Sequence, residues 1–189
     1  MNPRILRFVA LAGVATLGVV PRADAVEYTA VNNTASTISF TYQQMGSKVY
    51  GTFGKFEGQI EFDTQNPAVA HAALTIDLAS IDIDSSDAKT ELQKPAWFDT
   101  QNFPKAVFES TAIQDLGNDR YTFTGNLTLR GQTRQVIVPV VLKSENAIGI
   151  FDGELILKRD DFKMGEGEWA DSMVSNDINI RFRMVAPQR

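Results

Sequence analysis

The chain has 189 residues, enough for one ordinary domain, with no cysteine and a single histidine, His71. That composition excludes a disulfide framework, thiol catalysis, Cys-bound metals and c-type haem. With 18 basic and 23 acidic side chains, net −5, phosphate backbones and anionic membrane surfaces are unfavourable partners, and no nucleic-acid ligand is expected.

Residues 1–25 read as a secretory signal. Arg4 and Arg7 precede an apolar run from Phe8 to Val20, and Ala23-Asp24-Ala25 fits the small-residue cleavage pattern. The run is too short to cross a bilayer as a helix, which takes ~20 residues. The expectation is an exported, periplasmic protein whose mature part is a single domain over residues 26–189. That part has 15 basic and 22 acidic side chains, net −7.

The mature chain reads as short strands with period-2 alternation. Ile38, Phe40 and Tyr42 alternate with polar residues, as do Ile60 and Phe62, then Leu74, Ile76 and Leu78. The pattern resumes over Tyr121–Leu129, Phe151–Leu157 and Ile178–Met184. One face of each strand is apolar and the other wet, which argues for antiparallel pairing. Val136 to Leu142 is apolar on both faces apart from Pro139, the mark of an edge or a bulge. Gln65-Asn66-Pro67, Leu116-Gly117-Asn118-Asp119 and Arg130-Gly131-Gln132 supply turns. About eight strands result, the number that closes a barrel around side chains or one small ligand.

The stretch from Asp82 to Phe103 departs from the strand pattern. Ser85-Ser86-Asp87 offers helix-capping oxygens, and Ala88 and Leu92 share a helical face. Pro95 ends the turn before Trp97, Phe98 and Phe103. The reading is a short helical crossover that lays aromatics over one barrel end, either as a plug of core side chains or as a lid.

Catalytic and metal signals are weak. His71 reads as a strand start at the surface. Asp82, Asp84 and Asp87 lack the EF-hand glycine and terminal glutamate and read as a solvated capping loop. Met45 and Met164 read as core filler. Gly165-Glu166-Gly167-Glu168-Trp169 reads as an acidic rim loop with no phosphate-binding cation. No enzyme, metal or cofactor is expected. The positive signal is aromatic: 12 Phe, 4 Tyr and 2 Trp supply a large apolar interior, which the residues alone leave open between packed core and tunnel.

Five segments, in order, resemble the YceI-like family. They are Gly51-Thr52-Phe53-Gly54-Lys55-Phe56-Glu57-Gly58, Ile76-Asp77-Leu78-Ala79-Ser80-Ile81, Trp97-Phe98-Asp99 with Phe103-Pro104 and Phe108-Glu109-Ser110, Gly125 to Thr133, and Arg159-Asp160-Asp161-Phe162. The resemblance implies an all-β, extended, eight-stranded antiparallel lipocalin-like barrel with a short helical crossover and an apolar tunnel. It also implies a polyprenyl or quinone ligand held for transport, storage or sequestration. The chain departs from the family at Thr41-Tyr42-Gln43-Gln44, which has no histidine, and at Asp87 to Leu92. Both changes bear on the ligand head group. Lys94, Arg130, Arg134 and Arg159 are candidates to meet an anionic head.

The ligand-contact candidates are Phe40, Tyr42, Phe53, Phe62, Ile76, Leu92, Trp97, Phe98, Phe108, Phe123, Leu127, Phe151 and Phe182. Two alternatives stand beside the carrier reading. One is a partner module for a b561-type membrane cytochrome, docking through an apolar patch at Trp97 and Phe98; the other is a lipid-acting enzyme. A homodimer is a further possibility for assembly.

Overall fold

The structure, a computed structural model, describes residues 26–166 and 173–189. The predicted signal segment and Trp169 lie outside the described residues. The strands are β1 (Glu27–Tyr28), β2 (Thr37–Gln44), β3 (Ser47–Phe53), β4 (Phe56–Asp63), β5 (His71–Asp77) and β6 (Ile81–Ile83). After the single α-helix among the described residues, α1 (Ser86–Leu92), come β7 (Lys105–Asp115), β8 (Arg120–Leu129), β9 (Gln132–Glu145), β10 (Ile148–Lys158) and β11 (Asp177–Pro187). All join one antiparallel sheet in the order β1-β4-β5-β7-β8-β9-β10-β11-β2-β3-β6.

Eleven segments appear where about eight strands are expected, and the difference has a local cause. β3 and β4 are one path bent at Gly54-Lys55, and β5 and β6 are one path interrupted by a 3-10 turn, Leu78–Ser80. The two paths pair as one long hairpin, from Gly51↔Ile83 to Glu61↔His71. The bend is held where Gly54 N–H donates to Ser80 O at 3.0 Å and Lys55 N–H to Ser80 Oγ at 3.0 Å. β1 is an upstream extension of the β2 path. Its Tyr28 bridges Phe62 on one side and Gln188 on the other. Between β1 and β2, Asn32 N–H donates to Val185 O at 2.7 Å, and Val185 N–H donates to Ser36 Oγ at 2.9 Å. The first path thus lies between β11 and the β3–β4 path, and eight paths curl into a barrel.

Turn chemistry sets the hairpins. Met45-Gly46, Arg130-Gly131 and Asn146-Ala147 are two-residue loops with both residues at positive φ (48° and 79°, 48° and 69°, 50° and 63°). This is the geometry whose twist matches that of the flanking strands.

Pro139 is internal to β9, and its effect is one-sided. Leu142 N–H donates to Asp119 O beside β8, so even-numbered β9 amides face β8 and odd-numbered ones face β10. The β9–β10 ladder runs from Glu145↔Ile148 to Val140↔Gly153 and stops there. The next amide on that side belongs to Pro139, which has no N–H to give. From Pro139 toward its start β9 stays paired with β8 but leaves β10, and Ile137 and Ile156 flank the split as exposed apolar residues.

Candidate functional site

The barrel wall is built from glycines facing aromatic rings. A Cβ built on Gly51 would meet Phe40 Cζ at 2.3 Å; one on Gly125 would meet Phe108 at 2.5 Å; one on Gly153 would meet Phe182 Cζ at 2.1 Å. Phe40 and Gly51 are direct cross-strand partners, as are Phe182 and Gly153. Each ring lies flat on the wall in the space a side chain would fill. Rings that hug the wall leave the axis open.

The axis is a cavity of about 250 Å³. For scale, an engineered cavity of ~150 Å³ lined by apolar side chains binds benzene. One wall presents Ile38, Phe40 and Tyr42 from β2 and Phe53 from β3. Leu74 and Ile76 from β5, Phe108 from β7, and Phe123 and Leu127 from β8 follow. β10 and β11 complete the ring with Phe151, Leu155, Leu157, Ile178, Ile180 and Phe182. Leu74, Ile76, Phe108, Leu127, Leu155, Ile180 and Phe182 are only half-buried although they line the interior. Water-sized solvent reaches them from within, which a packed core does not allow.

The two barrel ends differ. At one, Tyr28, Phe62, Tyr121 and Phe151 form an edge-to-face seal. Phe62 lies 5.0 Å from Tyr121 at 88° and 5.4 Å from Phe151 at 78°, and Tyr28 lies 5.4 Å from Phe151 at 87°. The Tyr28 hydroxyl is anchored on Ser144 Oγ at 2.7 Å. At the other end α1 crosses, capped where Ala88 N–H donates to Ser85 Oγ at 3.2 Å. Ala88, Glu91 and Leu92 from α1, then Trp97 and Phe98, line the cavity here.

This end is held by a buried arginine. Arg159 is 3% exposed, and its guanidinium donates to Met164 O (2.9 Å), Gly165 O (3.4 Å), Val174 O (3.2 Å) and Ser175 O (3.3 Å). It fixes the chain on both sides of residues 167–172. Met164 and Val174 are thereby turned onto the cavity.

The sequence over residues 29–186 matches the model of the YceI-like domain. The chain belongs to the YceI-like family. It is 39% identical over 109 residues to the UPF0312 protein plu2095 of Photorhabdus laumondii and 34% identical over 109 residues to Protein YceI of Salmonella arizonae. Each alignment covers 57% of this chain and 56% of the relative's length, so the match spans little more than half of either relative. Among solved structures, Burkholderia cenocepacia BcnA superposes with a TM-score of 0.80 at 37% identity, over 82% of this chain and 99% of that one. A Saccharophagus degradans domain described as polyisoprenoid-binding shares the fold, with a TM-score of 0.65 at 16% identity, over 87% of this chain and 98% of that one.

Within this family fold, twelve of the thirteen sequence-selected residues line the cavity: Phe40, Tyr42, Phe53, Ile76, Leu92, Trp97, Phe98, Phe108, Phe123, Leu127, Phe151 and Phe182. Phe62 is the exception. It sits in the aromatic seal, where Tyr121, Phe123 and Phe151 surround its ring. Alternation gave its face correctly but not its depth along the barrel. Trp97 is 7% exposed and Phe98 half-buried, and both line the cavity.

The polar candidates resolve differently. Lys94 is tied to Glu91 at 2.6 Å. Arg130 donates to Pro95 O at 2.6 Å and to Lys163 O. Arg134 is exposed and donates to its neighbour Thr133 O at 3.0 Å. Of the four only Arg159 lines the cavity. Gln44 and Glu91, from the two segments that depart from the family, also line the cavity, and Val31 and Gln59 are lining residues that the sequence reading passed over. Burial pushes the Tyr42 hydroxyl's pKa up, so it remains a neutral O–H in the wall.

No group of metal-ligating side chains is present among the described residues. His71 Nδ1 lies 3.5 Å from Ser110 Oγ, and its Nε2 lies 4.0 Å from Glu109 Oε1. These contacts are long, and Ser110 Oγ already accepts from Ala72 N–H at 2.9 Å. The trio does not line the cavity. No helix among the described residues is long and apolar enough to cross a membrane.

Proposed function

We propose that this protein is an exported, periplasmic carrier that holds a polyprenyl or quinone-type lipid inside its barrel, for transport, storage or sequestration. The single observation behind this is an apolar hollow, about 250 Å³, kept open by rings folded onto wall glycines. At Gly153 only the Phe182 ring stands where a side chain would go, whereas at Gly51 and Gly125 the backbone carbonyls of Asp82 and Glu109 crowd that space as well. Burial of a prenyl chain supplies roughly 0.8 kcal/mol per CH₂ before association costs are subtracted. The relation to a domain described as polyisoprenoid-binding supports the ligand class. Residues 1–25 would direct export and be removed.

The test is lipid extraction of the purified mature protein, with native mass spectrometry before and after. A co-purifying apolar molecule, or saturable uptake of a prenol or quinone by the stripped protein, is expected. Absence of both would refute the carrier reading.

A further inference from the structure

The barrel wall has a seam. Below Val140↔Gly153 no ladder pair joins β9 to β10, yet each strand continues and stays paired on its other side, β9 with β8 as far as Gln132 and β10 with β11 as far as Lys158. Extending the register of that last pair sets Pro139 against Glu154, Ile137 against Ile156 and Gln135 against Lys158. At its lower end the seam closes again. There β9 lies beside the 3-10 turn Arg159–Phe162, and Arg130, in the turn between β8 and β9, donates to Lys163 O. The result is a bounded slot about 15 Å long, at ~3.3 Å per residue.

The slot is apolar inside and out. Outward, Ile137 and Ile156 flank it, 64% and 63% exposed. Inward, Val136, Leu155 and Leu157 are half-buried and line the cavity, so the hollow reaches the inner lips of the slot. On the β8 side, Ile137 is paired with Thr124, and the outward neighbours Thr122 and Asn126 are also uncharged. On the β10 side the charges are drawn away toward β11. Glu154 accepts from Asn179 and Arg181, and Lys158 donates to Asp177 at 2.8 Å.

Neither end of the barrel offers so free a path. One is sealed by Tyr28, Phe62, Tyr121 and Phe151. At the other, the chain after α1 is tied across the opening, since Gly165 N–H donates to Ala96 O at 2.7 Å and Arg130 to Pro95 O at 2.6 Å. Passage between two laddered strands breaks the hydrogen bonds that join them; passage through the slot breaks none.

Resting on the carrier reading, we propose that the slot between β9 and β10 is the door through which the prenyl chain of the ligand enters and leaves sideways. Pro139 keeps the slot free of ladder bonds, and Ile137 and Ile156 are its outer lips.

The chain has no cysteine, so Ile137→Cys with Ile156→Cys supplies the only two thiols, both at exposed positions in the middle of the slot. A short bis-maleimide then bars the slot from outside. The probe is ubiquinone-2, mixed with the stripped mature protein in stopped flow and followed by quenching of Trp97, which lines the cavity. A door sets the rates in both directions and leaves the equilibrium alone. The bridged protein should load and release at least about tenfold more slowly than the unbridged double variant, with Kd within roughly threefold. Ile137→Lys with Ile156→Lys charges the lips without a cross-link and should slow both rates several-fold at unchanged Kd. This second pair decides the matter if the bridge does not form. Exchange as fast as wild type in the bridged and lysine forms, or weaker binding with unchanged association, would overturn the door and leave the carrier reading intact. Binding of neither ubiquinone-2 nor farnesol by the wild type would overturn both.

Discussion

Replacing Gly153 by alanine tests whether the hollow exists because of its glycines. Gly153 sits between Val140 on β9 and Phe182 on β11, and its backbone is fixed by both ladders. The added Cβ would stand 2.1, 2.5 and 2.9 Å from three atoms of the Phe182 ring, against an ordinary contact of at least 3.4 Å. The ring must therefore move by more than about 1 Å, and only the cavity side offers room. In a solid core such overpacking costs ~1–3 kcal/mol. Here the ring swings into empty space, and the loss of unfolded-state freedom on Gly→Ala offsets ~0.4–1 kcal/mol. The net change in stability should stay within about 1 kcal/mol, a shift of only a few degrees in Tm. Ligand affinity should fall about tenfold or more, because the displaced ring occupies the tunnel. Thermal denaturation of the lipid-free protein, beside titration with a prenol or quinone, reads both quantities. A destabilisation of ~3 kcal/mol would mean that the interior is filled, and unchanged affinity would mean that the ligand lies elsewhere.

Arg159→Met should destabilise the protein by roughly 3–5 kcal/mol, since it strips three buried carbonyls and a half-buried one of their donor; chemical denaturation measures this, and proteolysis near residue 166 should accelerate. The Asp152 carboxyl is held below its ordinary range, first by the hydrogen bond from Arg183 at 2.7 Å and then by Lys143. A depressed carboxylate stabilises the fold above its unfolded pKa, near 3.9, and that contribution is lost as pH falls through the lower folded value. Wild type should therefore exceed Asp152→Asn in stability by up to about 1 kcal/mol at neutral pH, and the difference should vanish as acid unfolding is followed below pH ~4. Pro139→Val restores an N–H on the side facing β10. It should extend the β9–β10 ladder toward Glu154, seen as slowed exchange of the Ile137 and Ile156 amides; unchanged exchange would show that another constraint splits the strands.

Much of this fold is legible in the sequence because strand alternation is a local property. Period 2 tells which face of β2, β8 or β11 turns inward, and the paired turn residues at Arg130-Gly131 fix where the chain reverses. The Ser85 cap and the start of α1 follow from side-chain oxygens beside free amides. Depth is not local. Phe62 and Phe123 both face inward, yet Phe62 belongs to the seal while Phe123 also reaches the cavity, a distinction set by partners more than fifty residues away.

The sequence by itself determined the all-β class, the inward faces and the family, since each depends on residue order over short spans. Whether those inward rings fill the barrel was decided only by tertiary structure. Phe182 lies on Gly153 from a neighbouring strand, Phe40 on Gly51, and Trp97 under Gly165, and no periodicity states which glycine a ring will find. The hollow and its sealed end arise from packing between distant segments.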